Sequence, residues 1–476
     1  MRYETVIGLE VHVELATKSK IFCACSTAFG AAPNTQICPV CTGMPGGIPQ
    51  LNKGAVTLSM KAGMLLHCEI AGLCGFDKKN YFYPDLPSAY QRTQWYAPIA
   101  KNGYVEIETA SGKKRVRIKQ IHMEEDAGKL IHDEAAGVSL VDYNRAGVPL
   151  VEIVSEPDLS SPEEVAAYLN RLRTLLRFAE VSDCRMEQGS MRCDVNLSVR
   201  PAGAEALGVR TEIKNMNSIS AILRAIEYES ARHVEVLEAG EELLQETRRW
   251  DEMRGVSVAM RDKQTAADYR YFPDPDVMPL AVDAAWKQKV RESLPELPEQ
   301  KKARYVRELG LSDYDAGLLC DSHALCRCFE AALAVCQNAK ECANWLLSDV
   351  LAILKRRQMI ADELTLDGHS LGELILLVLA GKVGRANARK ILEEMFEREL
   401  DPAAYAAKMG FLISRDTDKI GEVIRAVLAE NAHALADYLG GKEKAFAALF
   451  GACMKQLRGN CDPQMLREML LEEIRK

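Results

Sequence analysis

The sequence predicts an α+β fold in which a sheet-containing N-terminal domain precedes an all-α region. Residues 1 to about 290 combine strand-like alternation with a few helical segments, and they contain most of the turn-forming Gly and Pro. From Leu294-Pro295-Glu296-Leu297-Pro298 onward the pattern is helical almost throughout, and a second break lies near Asp401-Pro402. We therefore predict a sheet-containing domain over 1–292, a helical domain over 293–404 and a small helical tail domain over 405–476.

Composition excludes several classes of protein. The chain has 476 residues, 48% of them hydrophobic, and a net charge of −8, so a histone-like polyanion binder is excluded. No run of 18 apolar residues occurs, which argues against a membrane span. Met1-Arg2-Tyr3-Glu4 leads directly into a strand pattern, so we expect no signal or transit peptide. The 15 cysteines, an odd number in a large chain, favour a cytoplasmic protein with mostly reduced thiols.

Two helices have clear N-terminal signals. Ser161-Pro162-Glu163-Glu164 combines a capping Ser with Pro at the first helical position. The apolar residues that follow at helical spacing are Val165, Tyr168, Leu169, Leu172, Leu175 and Leu176. Asp462-Pro463 begins a final helix by the same rule.

Four cysteines have the spacing of a metal site. The pairs Cys23-x-Cys25 and Cys38-x2-Cys41 are separated by a segment rich in Gly, Pro, Asn and Thr. Zn²⁺ prefers four soft ligands in a tetrahedron, and two short Cys pairs on turns supply them. A disulfide pair or four unrelated core thiols are the alternatives. Four thiolates leave no position for water or substrate, so the predicted zinc site is structural. The cysteines in helical segments, namely Cys320, Cys326, Cys328, Cys336 and Cys342, are assigned to core packing.

The first strand carries charge on one face. Ile7, Leu9, Val11, Val13 and Leu15 alternate with polar residues that include Glu10, His12 and Glu14. Side chains two positions apart in a strand lie roughly 6–7 Å apart, so Glu10 and His12 can share one cation. A solvated strand face is the alternative.

Two later segments repeat this feature. Glu124, Glu125 and Asp126 are consecutive carboxylates, which repel one another unless they are solvated or bind a cation. On the strand that begins at Arg192, one face carries Arg192, Asp194, Asn196, Ser198 and Arg200, and Arg210, Glu212 and Lys214 follow. Carboxylates beside Arg and Lys suit a substrate that combines Mg²⁺ and phosphate.

Missing motifs narrow the reaction. Every Gly-Lys pair is followed by a residue other than Ser or Thr, so no Walker phosphate loop is present. Neither a G-x-G-x-x-G fingerprint nor a G-x-S-x-G nucleophile elbow occurs. A nucleotide would therefore bind to metal and carboxylates on a sheet, and the chain has no motif of its own for splitting an amide.

Several long blocks resemble the B subunit family of bacterial aspartyl/glutamyl-tRNA amidotransferases. The blocks lie in order along the chain, at 22–41, 80–87, 122–129, 142–150, 192–196, 246–248 and 268–273. The resemblance implies an ATP-dependent ligase subunit that phosphorylates the side-chain carboxylate of Glu-tRNA(Gln) or Asp-tRNA(Asn), which ammonia then converts to the amide. It also implies partners: a glutaminase A subunit, a small C subunit and the misacylated tRNA. The N-terminal domain of such proteins is similar to the antiparallel sheet of glutamine synthetase.

The resemblance also implies roles for individual residues. The implied Mg²⁺ ligands are Glu10, His12, Glu125, Glu152, Glu187 and Glu212, and Arg192 and Lys214 would face phosphate. Lys79 and Tyr81, with Glu125, would lie near the ammonia exit. The implied cofactors are ATP, Mg²⁺ and a structural Zn²⁺ on Cys23, Cys25, Cys38 and Cys41.

The C-terminal tail carries basic residues beside an apolar stripe. Lys442, Lys444, Lys455 and Arg458 flank the stripe formed by Phe446, Leu449, Phe450 and Met454. By the resemblance these cations would bind tRNA phosphates, and a solvated helix face is the alternative. For the whole chain the alternative is a zinc-stapled tRNA-binding scaffold without catalysis.

Overall fold

A computed structural model describes residues 2–133, 136–260, 266–413, 417–457 and 461–475. The chain forms two compact units, 1–296 and 297–476, and their boundary falls inside the Pro-bearing segment 294–298. The prediction of an α+β chain with a large N-terminal sheet and a helical C-terminal region is confirmed. The separate boundary predicted at 404/405 stays a prediction.

The N-terminal unit is built on a nine-stranded sheet. Its strands, in spatial order, are Val256–Ala259, Glu246–Asp251, Thr211–Lys214, Met191–Pro201, Tyr3–Glu14, Pro149–Ser155, Gly112–Glu125, Ala100–Thr109 and Glu69–Ile70. Neighbouring strands are antiparallel, except that Thr211–Lys214 pairs in parallel with Glu246–Asp251. The expectation of an antiparallel sheet therefore holds at the other pairs of this sheet and fails at this one. The long helix Ile219–Glu238 connects the two strands, and a crossover of this kind is what parallel pairing requires.

The sheet has one apolar face and one polar face. Ile7, Leu9 and Val11 are buried with the apolar residues of the neighbouring strands. Helices Lys53–Leu65, Pro162–Phe178 and Ile219–Glu238 supply buried apolar residues to the same core. As predicted, Ser161 caps its helix by accepting a hydrogen bond from the Glu164 amide. Because apolar burial holds the helices on one face, the other face stays open to ligands.

Short elements complete the N-terminal unit. Strands Asp77–Asn80, Tyr90–Thr93 and Phe272–Pro273 form a three-stranded sheet, and Lys129–Asp133 pairs with Val138–Asp142. Leu73–Cys74 pairs with Leu280–Ala281, and the remaining helices are Met186–Gln188, Ala266–Tyr269 and Ala284–Glu292.

The C-terminal unit is helical. Its helices are Pro298–Leu309, Asp313–Cys320, His323–Cys336, Ala339–Asn344, Trp345–Val350, Leu351–Arg356, Ala361–Glu363, Gly368–Leu379, Arg385–Met395, Pro402–Lys408, Thr417–Glu430, Ala432–Leu439, Glu443–Gln456 and Pro463–Arg475. The five cysteines assigned to packing are buried, as predicted. Ile420, Ile424, Val427 and Leu428 share a core with Leu449, Leu466 and Leu470. Among the residues that the structure describes, no helix is both long and apolar enough to cross a membrane.

A buried ionic network attaches helix Ile219–Glu238 to the sheet. Glu229 is fully buried, and it accepts hydrogen bonds from Arg232 Nε at 2.8 Å and Ser257 Oγ at 2.6 Å. Burial favours a raised pKa, but bonds from His233, Arg232 and Ser257 outweigh it and lower the pKa of Glu229 to about 2. The network therefore stabilises the ionised carboxylate.

We expect Glu229→Gln to lower the free energy of unfolding at pH 7 by on the order of 3 kcal/mol, since one pKa unit corresponds to about 1.4 kcal/mol. A carboxylate with a depressed folded-state pKa contributes its stabilisation above the unfolded-state value near 4.5, and loses it as the pH falls toward 2. Denaturant unfolding from pH 7 down to pH 3 should therefore show that the free energies of unfolding of the wild type and the variant converge. Glu227→Gln, on the exposed side of the same helix, is the matched control. A constant difference between wild type and variant across this range would contradict the network's role.

Candidate functional site

A cavity of about 1260 Å³ lies over the polar face of the large sheet. Strand register explains why its polar residues converge. Glu10 lies opposite Asp194 on one neighbouring strand, and His12 lies opposite Glu152 on the other. Paired residues in antiparallel strands share a face, so carboxylates from separate parts of the chain point into one space.

The first carboxylate group contains His12, Glu124 and Glu152. One potential ligand atom from each lies within 4.8 Å of the others, and His12 Nε2 is 4.0 Å from Glu152 Oε2. Thr93 Oγ1 donates to Glu124 Oε1 at 2.5 Å, and Gln91 Nε2 donates to its other oxygen at 3.1 Å. These two hydrogen bonds fix the position of the Glu124 carboxylate.

Electrostatics within this group favour a bound cation. Burial, and then the neighbouring charge of Glu124, raises the pKa of Glu152 well above its ordinary value. Burial also lowers the pKa of His12, which keeps the imidazole in the neutral form that binds metals. Burial by itself would raise the pKa of Glu124, but the charge of Lys79 and the hydrogen bond from Thr93 lower it.

The second carboxylate group contains Glu10, Asp194 and Glu212, whose ligand atoms also lie within 4.8 Å of one another. Lys214 Nζ donates to Asp194 Oδ2 at 2.5 Å and lies 3.2 Å from Glu212 Oε1. Asn196 Nδ2 donates to Glu10 Oε1 at 2.9 Å. The Asn196 Oδ1 atom is buried and has no hydrogen-bond partner among the residues that the structure describes, which leaves one oxygen for a ligand of the cavity. Both groups line the same cavity.

Glu125 does not lie with these carboxylates. Its Oε1 accepts a hydrogen bond from the Arg92 amide at 2.9 Å and lies 3.5 Å from Arg92 Nη1. Successive side chains of a strand point to opposite faces, so Glu124 and Glu125 cannot both enter the cavity. The structure therefore corrects the expectation that Glu10, His12 and Glu125 converge: Glu124 rather than Glu125 lies with His12, and Glu10 belongs to the second group.

Two other sequence predictions also need correction. Glu187 is exposed on the short helix Met186–Gln188 and belongs to neither carboxylate group. Arg192 lies opposite His12 on the neighbouring strand, but it is not among the described residues that line the cavity, and its Nη2 donates to Asp126 Oδ2 at 2.7 Å. Glu10, His12, Glu152 and Glu212 do line it, as does Lys214.

Lys79 and Tyr81 lie beside the first group. Lys79 lines the cavity, and its Nζ lies 4.9 Å from the ring centroid of Tyr269 and 5.8 Å from that of Tyr81. Burial raises the pKa of Tyr81 to about 12, so its hydroxyl stays protonated at neutral pH. Tyr81 packs edge to face on Tyr269 rather than lining the cavity.

Sequence reasoning misses several residues of the site. It places Asp194 on the polar face without giving it a role, and it selects Glu125 where the structure has Glu124. Strand phase could have found Glu124, because it shares a face with His122, which lies opposite Glu152. Thr93 and Gln91 leave no signal in the sequence, because only the pairing of distant strands places them beside Glu124.

The four spaced cysteines form one cluster, with a ligand sulfur from each within 4.8 Å of the others. Lys20 is fully buried and donates to Cys41 Sγ at 3.5 Å and to the Tyr143 carbonyl at 3.2 Å. Hydrogen bonding from Cys23, together with Lys20, lowers the pKa of Cys41 to about 4, whereas burial raises that of Cys25 to about 11. This sulfur set has the composition that Zn²⁺ prefers.

The basic residues of the tail are exposed where the structure describes them. Lys444 and Lys455 lie on helix Glu443–Gln456, and Lys442 Nζ donates to Asp437 Oδ1 at 2.9 Å. Arg458 lies outside the described residues.

Comparison with known proteins covers nearly the whole chain. Residues 5–288 match the family model described as the GatB/GatE catalytic domain, and residues 327–474 match that described as the GatB domain. The chain is 49% identical over 479 residues to the B subunit of the aspartyl/glutamyl-tRNA(Asn/Gln) amidotransferase of Caldicellulosiruptor bescii, with all of both chains covered. It is 50% identical to that of Agathobacter rectalis over 99% of both chains, and 47% identical to that of Clostridium tetani over all of both. The chain therefore belongs to the family of aspartyl/glutamyl-tRNA amidotransferase B subunits.

Proposed function

We propose that the chain is the subunit of a tRNA-dependent amidotransferase that activates the side-chain carboxylate of Glu-tRNA(Gln), Asp-tRNA(Asn) or both with ATP. The observation that carries the proposal is the pair of carboxylate groups in one cavity, beside Lys79 and Lys214. Opposed negative and positive side chains of this kind suit a metal-bound triphosphate. A sheet of this type, with its carboxylates on the open face, is also what the likeness to glutamine synthetase leads us to expect.

Both carboxylate groups fit divalent cations. His12, Glu124 and Glu152 would hold one Mg²⁺, and Glu10, Asp194 and Glu212 would hold another. Two observations support this. A bound cation would offset the burial and the negative charge that raise the pKa of Glu152, and a ligand bound to a cation would give Asn196 Oδ1 the partner that it lacks among the described residues. When bound, the ions neutralise charge on the phosphate oxygens.

The chain's own cations complete the charge balance. Lys214 is held beside the second group, and burial, which would lower its pKa, is outweighed by Asp194 and Glu212, so the pKa is raised and the amine stays charged. Lys79 is likewise kept charged, because the charge of Glu124 leads the interactions that outweigh its burial and raise its pKa. Each ammonium can neutralise the negative charge that develops on the transferred phosphoryl group.

The chemistry proceeds in two steps. A carboxylate oxygen of the aminoacyl side chain bonds to the γ-phosphorus while the bond from phosphorus to the bridging oxygen breaks, which releases ADP. The nitrogen of ammonia then bonds to the acyl carbon, and phosphate leaves with the former carboxylate oxygen and one proton from nitrogen. Phosphorylation is needed because a free carboxylate has no leaving group.

Ammonia would come from a glutaminase A subunit held by a small C subunit. The chain has no nucleophile motif for splitting an amide, which agrees with this division of labour. Lys79 and Tyr81, packed beside Tyr269 next to the first carboxylate group, are proposed to lie where ammonia enters.

We further propose that Cys23, Cys25, Cys38 and Cys41 hold a structural Zn²⁺. Hydrogen bonds between the cysteine-bearing loop and residues 141–144 support a structural role. The backbone amide of Asn34 donates to Asp142 Oδ1 at 3.0 Å, and the backbone amide of Gln36 donates to Asn144 Oδ1 at 2.8 Å. A metal at the cysteines would thus fix a loop that is already attached to the sheet domain.

The deciding experiment is Mg²⁺-dependent cleavage of ATP, measured with the partner subunits present, with and without misacylated tRNA. We expect cleavage to be stimulated by misacylated tRNA and not by correctly acylated tRNA. A complex that binds tRNA without cleaving ATP would favour the alternative, a zinc-stapled scaffold. The complete carboxylate groups argue against that alternative, because binding tRNA requires neither of them.

The tail is proposed to bind tRNA phosphates through Lys444 and Lys455. We expect Lys444→Gln with Lys455→Gln to weaken tRNA binding and to reduce the slope of log K against log salt by about 1.4–1.8, since each phosphate contact contributes about 0.7–0.9. Binding of labelled tRNA at several salt concentrations measures both quantities. Lys18→Gln with Lys289→Gln, an exposed pair in the N-terminal unit, removes equal charge as a control. Equal slopes for the two double variants would contradict the tail's role.

A further inference from the structure

One wall of the cavity is aromatic. Tyr83, Trp95, Tyr269 and Tyr271 line it together with the carboxylates. The rings of Trp95 and Tyr271 are stacked, with centroids 4.5 Å apart and planes 9° apart. Tyr269 packs on Tyr271 at 5.9 Å, tilted by 58°. Trp95, Tyr271 and Tyr269 therefore form a connected series of rings.

The stack has an open end at Trp95. Tyr271 is covered by Trp95 and lies against Tyr269, whereas Trp95 is 43% exposed. A planar ligand that stacked on this exposed indole would remove apolar area from water. The flat group that best matches such a surface is another aromatic ring.

The backbone on both sides of Trp95 is held in place. The backbone carbonyl oxygen of Gln94 lies 2.7 Å from His122 Nδ1, and the backbone amide of Tyr96 donates to Asp77 Oδ2 at 3.0 Å. The Tyr96 hydroxyl donates to the Tyr271 carbonyl at 3.3 Å, which ties the two halves of the stack together. Trp95 is thus positioned before any ligand arrives, which lowers the entropic cost of binding.

Trp95 also lies close to the first carboxylate group along the chain. Thr93, two residues earlier, donates its hydroxyl to Glu124. Two residues of extended chain span at most about 7 Å, so the indole and the carboxylate group share one short segment. Burial, and then the charge of Glu124, raises the pKa of Tyr271, which agrees with the stacked tyrosine reaching toward the same carboxylates.

We propose that the exposed face of Trp95 binds a purine nucleobase whose phosphates lie toward the carboxylate groups. The inference rests on the proposed function, since that function supplies two adenosine-bearing ligands, ATP and the 3′ end of the tRNA. Stacking on an aromatic platform tolerates any base, so the shared chemistry is the planar purine. No other part of the proposed mechanism uses Trp95.

The test compares ligands that differ in the base. We would measure binding of ATP, of inorganic tripolyphosphate and of an acceptor minihelix ending in adenosine, each with Mg²⁺, to the complex with its partner subunits. We expect Trp95→Leu to weaken the binding of ATP or of the minihelix by roughly 5- to 150-fold, which is the range for one base–aromatic stack. The binding of tripolyphosphate should stay unchanged. Trp95→Phe should restore most of the affinity, because phenylalanine keeps an aromatic face.

Comparing the binding of ATP with the binding of the minihelix identifies the ligand that supplies the base. A loss confined to ATP assigns the platform to the nucleotide, and a loss confined to the minihelix assigns it to the tRNA terminus. Tyr314→Leu removes an aromatic residue of 73% exposure outside the cavity and should change neither affinity. Unchanged binding of both ligands to Trp95→Leu would overturn the proposal.

Failure of the proposed function gives a different result. In that case the wild-type complex binds neither tripolyphosphate nor ATP. Whether Trp95 binds a base is then tested by comparing minihelix binding of the wild type with that of Trp95→Leu.

Discussion

Glu124→Gln should abolish most of the ATP-dependent activation, with a loss of roughly 100- to 1000-fold, comparable to removing one electrostatic contact from a preorganised site. The neutral amide keeps the shape of the side chain but removes charge from the group with His12 and Glu152. The rate of tRNA-stimulated ATP cleavage, measured against Mg²⁺ concentration, checks this. Added Mg²⁺ should not restore the full rate.

Glu125→Gln is the matched comparison, because the two carboxylates are adjacent in sequence and point to opposite faces. We expect the folded fraction of this variant to retain ATP cleavage. Its free energy of unfolding should fall by about 1–3 kcal/mol, because the buried Arg92 loses the charged carboxylate of Glu125. Equal loss of activity in both variants would contradict the assignment of Glu124, and a fully active Glu124→Gln would remove the first metal site.

Removing zinc should have the second large effect. We expect purified protein to contain stoichiometric zinc under reducing conditions, and Cys38→Ser with Cys41→Ser to lose it. Small zinc modules gain about 10–16 kcal/mol from the metal, and a domain of this size shifts by about 2–4 °C per kcal/mol. Its unfolding midpoint should therefore fall by roughly 20 °C or more. Elemental analysis and thermal unfolding measure the two outcomes.

Cys68→Ser is the control for this prediction. Cys68 is half-buried and lies outside the four-cysteine cluster, so its loss should leave the zinc content unchanged. Zinc-free wild-type protein with the same midpoint as the loaded form would refute a structural role for the metal.

Much of the candidate site could be predicted from strand alternation and motif spacing. The period of two along 7–15 placed Glu10 and His12 on one face, and the spacing of Cys23, Cys25, Cys38 and Cys41 predicted one cluster. The three consecutive acidic residues did not by themselves select between Glu124 and Glu125, and only the strand phase set by His122, opposite Glu152, separates the two. The family resemblance assigned Arg192 to phosphate, and the order of residues gives no sign of its tertiary partner Asp126.

What the sequence determined by itself is local: the cap at Ser161, the helices that follow proline, and the alternation that gives the sheet a polar face. These depend on contacts between residues a few positions apart, which the order of residues specifies directly. Tertiary structure alone decided which carboxylates meet, because Glu10, Asp194 and Glu212 become neighbours only when three strands pair in register. It also placed Trp95 on Tyr271 across 175 intervening residues, and no local pattern encodes a contact of that length.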